Sequence, residues 1–154
     1  MFDVGKDPTG RRYYVAHYAS GCLEELPWES ENFDCTVLLF SRKAMQRVRA
    51  TLGGEIIRAN TDWVQVCGVD AESFHDFIDK TSVQLGRQRM AGDGSPMTSW
   101  HEDANTLRKM IDVARDCFGG SNYVLVLVVG DRNDADEVIQ SLVGDLNGDA
   151  SPSG

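Results

Sequence analysis

Three apolar runs of strand length punctuate this chain: Cys35-Thr36-Val37-Leu38-Leu39-Phe40, Trp63-Val64-Gln65-Val66-Cys67 and Tyr123-Val124-Leu125-Val126-Leu127-Val128-Val129. The last is apolar throughout, the pattern of a central strand covered on both faces. Between the runs the apolar spacing changes to that of a helix. Ser41 is placed to cap a helix carrying Ala44, Met45, Val48 and Leu52, and Gly53-Gly54 is expected to end it. Asp70 can cap a second helix that turns Phe74, Phe77, Ile78 and Leu85 inward, with Gly86 as its stop. Ser99-Trp100-His101-Glu102 has the Ser-x-x-Glu form of a capping box. It predicts a third helix with Trp100, Ala104, Leu107, Met110, Ile111, Ala114 and Phe118 on one face, closed by Gly119-Gly120. Asp134, with Glu137 three residues on, predicts a fourth, facing inward through Val138, Ile139, Leu142, Val143 and Leu146.

The flanks are less regular. Tyr13 to Ala19 is rich in β-forming residues and reads as a first strand. Residues 1–10, with Gly5, Pro8 and Gly10, read as an irregular lead-in, and 147–154 as a flexible polar tail. Gly21 to Asp34 is an acidic loop, and residues 87–98 form a long polar loop of the kind that often carries function.

Strands alternating with helices predict an α/β fold. The expectation is a single domain over residues 11–146, with a mainly parallel sheet of about four strands flanked by helices in Rossmann-like or flavodoxin-like layering. Ligands of open α/β sheets bind beyond the carboxyl ends of the strands. That singles out three loops: Ser41-Arg42, Gly68-Val69-Asp70 and Gly130-Asp131-Arg132-Asn133.

Charge narrows the partners. Lys and Arg number 15 against 24 Asp and Glu, a formal net charge of −9. Such a chain is repelled by phosphate backbones, so nucleic acid is not an expected partner. Arg42, Lys43, Arg47, Arg49 and Arg58 interrupt the acidity and read as a solvated helix face. The longest apolar run is far shorter than a membrane span, and the polar start is not a secretory signal, so the expected location is cytoplasmic. Cys22, Cys35, Cys67 and Cys117 contain no Cys-x-x-Cys pair, which argues against a zinc knuckle or a dithiol redox site. Cys35, Cys67 and Cys117 are expected to pack as buried thiols, leaving Cys22 as the one to test for reactivity.

Two clusters carry the remaining chemistry. In the first, His75 and Asp79 are four apart and share a helix face, as a two-point metal grip or an acid–base pair would require. A solvated i, i+4 hydrogen bond explains the same spacing. In the second, His101, Glu102 and Asp103 fall in the first turn of the predicted third helix, where the dipole favours carboxylates and a neutral imidazole. Trp100 there reads either as part of the core stripe or as cover for a pocket. His17 reads as structural. Neither a Walker-type phosphate loop, a Gly-x-Gly-x-x-Gly turn nor a Gly-x-Ser-x-Gly elbow is present.

Read together, Gly68 with Asp70, His75-Asp76 with Asp79, Met97-Thr98-Ser99-Trp100-His101 with Asp103, and Val129-Gly130-Asp131 resemble the motifs of an uncharacterised bacterial domain family of unknown function. The resemblance covers about Cys35 to Leu146. It implies an α/β domain and that both His-bearing segments belong to one site, and it brings no activity with it.

Three functions remain open, the third being a small-ligand sensor that uses the carboxyl edge of the sheet. The first is a small acidic interaction or regulatory module, of immunity or accessory type, with a protein partner. The second is a metal-assisted or acid–base hydrolase centred on His75, Asp79 and His101. Asp70, Trp100, Asp103 and Asp131 are the expected binding residues around either site. No cofactor is identified, and a divalent metal on His75, Asp79 and His101 is the one candidate. The hydrolase reading requires the two imidazoles to converge.

Overall fold

A computed structural model describes residues 1–19, 22–28, 32–59, 61–85, 97–116 and 120–149. The elements run β1 (Phe2–Lys6), β2 (Arg12–His17), β3 (Phe33–Leu39), α1 (Arg42–Arg58), β4 (Thr61–Gly68), α2 (Ala71–Gln84), β5 (Met97–His101), α3 (Leu107–Arg115), β6 (Tyr123–Val129) and α4 (Arg132–Asp149). They build one sheet of six strands in the order β1-β2-β6-β3-β4-β5. Among the described residues only β1 runs antiparallel to its neighbour, and the other pairings are parallel.

The central strands β3 and β6 are buried almost throughout, as their unbroken apolar runs require. Their side chains alternate between two cores. Cys35, Val37, Leu39, Leu125 and Leu127 join Met45, Leu52 and Ile56 of α1 and Phe74 and Ile78 of α2 on one face. Leu38, Val124, Val126 and Val128 join Met110 and Ile111 of α3 and Val138, Leu142 and Leu146 of α4 on the other.

The sheet is wider than expected at both ends. Residues 2–6 are not an irregular lead-in but β1, in register with β2 from Phe2↔Val15 to Lys6↔Arg12. The glycine that disguised it accommodates a bulge: the register shifts between Asp3 and Gly5, and Gly5 has φ +113°. Residues 97–101, expected as the end of a loop and from Ser99 the start of a helix, are instead β5, paired to β4 from Trp63↔Met97 to Cys67↔His101. Joining that edge gives the segment a partner for its backbone, which a helix end would leave unsatisfied. Helix α3 begins at Leu107 instead, capped by Thr106, whose hydroxyl accepts from the Lys109 amide at 3.3 Å.

Helix boundaries shift for local reasons. Ser41 caps α1 as expected, accepting from the Ala44 amide at 3.2 Å. Gly53-Gly54 does not stop α1, which runs to Arg58. Both glycines are buried, and a Cβ on Gly53 would sit 3.0 Å from the Phe77 ring, so the residue lets α1 and α2 approach. Leu85 does not turn inward; it is the exposed C-cap of α2. The cap of α4 lies one turn earlier than expected. Asp131 accepts from the Asp134 amide and Asp134 from the Asp131 amide, both at 2.9 Å. The same helix continues through residues 147–149, where a tail was expected. The expected stops at Gly86 and Gly119, the loop residues 87–96, Cys117, Phe118 and residues 150–154 lie outside the described residues.

Candidate functional site

The carboxyl ends of β2, β3, β4 and β6 are tied together by backbone hydrogen bonds. Tyr18 N–H donates to Val128 O, Phe40 N–H to Val129 O and Val69 N–H to Leu39 O, at 2.9–3.0 Å. Gly68 makes the last approach possible: at φ +99°, any Cβ would overlap the Leu39 carbonyl oxygen. The three loops singled out by topology therefore do share one end of the sheet. Order reverses between β3 and β6, whose onward helices leave toward opposite faces, so this is the switch point of the fold. An open cleft of about 430 Å³ lies there, lined by Ser41, Lys43, Arg47, Gly130, Asp131 and Asp134 among others.

Two expected binding residues at this end are occupied by the fold. Asp131 serves the cap of α4. Asp70 stands at the N-cap of α2 but its side chain does not cap; it is held in the left-handed region at φ 57°. A capping side chain needs an extended backbone to reach the helix amides. The Asp70 carboxylate instead takes both arms of Arg42, with Nε at 2.7 Å and Nη2 at 3.0 Å, joining the loops after β3 and β4. His17 is exposed and its Nε2–H donates to Gly130 O at 2.8 Å, a structural contact.

The His-bearing segments meet elsewhere, between α2 and the outermost strand β5. Thr98 Oγ1 donates to Asp79 Oδ1 at 2.7 Å and lies 2.9 Å from His75 Nε2. Because the hydroxyl proton is used on Asp79, the imidazole Nε2 is the donor to Thr98. Asp79 Oδ2 is 3.5 Å from the same nitrogen, and Asp76 Oδ1 is 3.2 Å from Nδ1. The His75 ring is buried and packs against the Trp100 indole, with centroids 4.5 Å apart and planes at 46°. Trp100 is nevertheless 43% exposed. It is not part of the α3 core stripe, because it belongs to β5 rather than to that helix.

His101 does not join them. Thr98 and Trp100 lie on the α2 side of β5, and strand alternation sends His101 to the opposite side. Its parallel neighbour Cys67 belongs to the α3/α4 core, and on that same side Trp63 Nε1–H donates to Ser99 Oγ at 3.4 Å. The convergence of His75 with His101 expected for a hydrolase is thus not formed. Asp103 sits in the exposed turn after β5. Among the described residues, no three His, Cys, Asp or Glu side chains group as metal ligands. Cys35 and Cys67 are buried thiols, as expected. Burial pushes the Cys22 thiol up, which disfavours the reactive thiolate.

Sequence reasoning found His75, Asp79 and Trp100 but not their connector. Thr98 joins the group only when residues 97–101 are a strand, since period 2 alone places Thr98 beside Trp100 and away from His101. The Thr-Ser-Trp composition was the available signal for that strand.

A family model described as Domain of unknown function (DUF7684) matches residues 13–145. No curated protein matches the chain. The chain belongs to the DUF7684 family.

Proposed function

We propose that this DUF7684 member is a small acidic interaction module that docks a protein partner along the β5/α2 edge, with Trp100 as the anchor. The observation that carries the reading is an exposed indole held in place. Trp100 presents nearly half its surface while its ring rests on His75, and His75 is itself fixed by Asp76, Thr98 and Asp79. Tryptophan is enriched among the residues that dominate interface energies. An anchor already held in one orientation loses less freedom on binding. Val83 on α2 and Leu85 at its end are also exposed. Among the described residues β5 is the end strand and pairs with β4, and strand addition along its outer edge is the mode of docking we propose. The acidic charge favours a protein over a nucleic acid, and we place the module in the cytoplasm on the same reading.

A photo-reactive amino acid at Val83, the exposed α2 residue one turn beyond Asp79, introduced in the organism that encodes the chain, tests this. The expected result is a cross-linked protein, identified by mass spectrometry, that is lost when Trp100→Ala is added. An adduct that persists in the Trp100→Ala background, or that also forms from a photo-reactive residue at Lys109 on α3, would overturn the proposal.

A further inference from the structure

We infer that the partner segment presents a cationic side chain, arginine or lysine, to the open face of Trp100. The inference rests on the docking reading above and adds the chemistry of the occupant. The indole packs against the His75 ring with centroids 4.5 Å apart and planes at 46°, and the residue is 43% exposed, so part of the ring remains accessible. A tryptophan face is the strongest aromatic partner for a guanidinium or ammonium group. Among the described residues of α2, β5 and their flanking turns, the charge is mainly negative. Residues 70–85 and 97–106 together carry six carboxylates and one lysine, Lys80. Asp70 is engaged by Arg42. Asp76 and Asp79 next to the platform keep side-chain exposures of 69% and 51% while each holds a contact to His75. They are oriented yet still hydrated, so a cation over Trp100 would find fixed acceptors beside it.

A neutral apolar occupant would cover these carboxylates without replacing their water, which costs free energy. An acidic occupant would add like-charge repulsion. A cationic one satisfies the ring and the rim together. The chain itself contains the arrangement: the Arg49 guanidinium sits 5.1 Å from the centroid of Phe77, on α2.

The test uses the full chain labelled with ¹⁵N and two acetylated, amidated pentapeptides, Thr-Val-Arg-Val-Thr and the same peptide with citrulline for arginine. Citrulline keeps the shape and removes the charge. The readout is the Trp100 indole N–H resonance, assigned with Trp100→Phe. We expect a saturable shift with the arginine peptide, an apparent Kd about fivefold below that of the citrulline peptide, and loss of that preference in Asp76→Asn/Asp79→Asn or in 0.5 M salt, roughly where screening shortens to a few ångströms. Amide resonances elsewhere report that the variant is folded. Equal binding of the two peptides, or no shift of Trp100 with either, would overturn the cation. The docking reading falls separately, with the Val83 cross-link. A concentration-dependent, salt-sensitive dimer in sedimentation, abolished by Trp100→Ala and accompanied by no peptide shift, would assign the edge to a second copy and overturn the foreign partner.

Discussion

Two hydrogen-bonded carboxylate groups sit at different places in this sheet, and their fates differ. At the amino ends of the strands, Arg11 Nη2 meets Asp34 Oδ2 at 2.5 Å, Ser121 Oγ lies 3.2 Å from Asp34 Oδ1 and 3.0 Å from Asp62 Oδ2, and Arg11 Nε donates to the Ser121 carbonyl at 2.9 Å. Asp34 is fully buried. At the β5/α2 edge, Asp79, Thr98 and His75 make bonds of similar length, but Asp79 is half exposed. The first group ties β2, β3, β4 and the entry to β6 around one fully buried carboxylate. The second orders a surface. The same residue types therefore act as a staple or as a platform according to the solvent around them.

The largest expected effect is on the staple. Asp34→Ala leaves the Arg11 guanidinium without its buried counter-charge and should cost about 3–5 kcal/mol in urea unfolding. A loss below about 1 kcal/mol would place Asp34 with the surface pairs. The next contrast is in pH. Burial pushes the Asp34 carboxyl above its ordinary value, against the pull of Arg11 and Ser121. The native state then binds more protons than the unfolded chain between the ordinary and raised values, so this group's contribution falls as pH rises through that window. Asp145 behaves oppositely. Its hydrogen bond from Arg108 holds the carboxyl below the ordinary value. Its contribution is present above the ordinary value and is lost as pH falls through the folded one. Stability measured from acid to neutral pH should lose the falling limb in Asp34→Asn and the rising limb in Asp145→Asn. Exchange of those two outcomes would reverse the assignment of staple and surface pair.

Smaller effects belong to the platform. Thr98→Val removes the bridge between Asp79 and His75 and should cost about 1 kcal/mol, with the Trp100 indole resonance broadened or moved. An unchanged indole would show that Thr98 does not order it. Trp100→Ala should change stability by about 0.5 kcal/mol or less in either direction, while abolishing the cross-link from Val83. Destabilisation of several kcal/mol would return Trp100 to the core.

Much of this fold was legible in sequence. The runs at β3, β4 and β6 are strands because no exposed face interrupts them, and Ser41 marks the start of α1. The errors share a cause. Gly5, Gly53 and Ser99 each carry a strong local signal, and each serves a different purpose once a neighbour arrives. Gly5 accommodates a bulge against β2, Gly53 admits the Phe77 ring, and Ser99 pairs with Gln65 in a strand. Of the candidate site, the His75–Asp79 pair was legible because i, i+4 spacing is a property of one helix. Trp100 was legible as a candidate, but neither its contact with His75 nor the part played by Thr98 could be read until β5 was paired.

By itself the sequence determined the α/β alternation, the buried central strands, the acidity and the pairing of His75 with Asp79, all of which follow from local periodicity and charge. The tertiary structure decided that Trp100 faces solvent beside His75 and that His101 faces the other way. That choice depends on whether residues 97–101 find a strand edge to pair with, and the edge of β4 is supplied by residues more than thirty positions earlier.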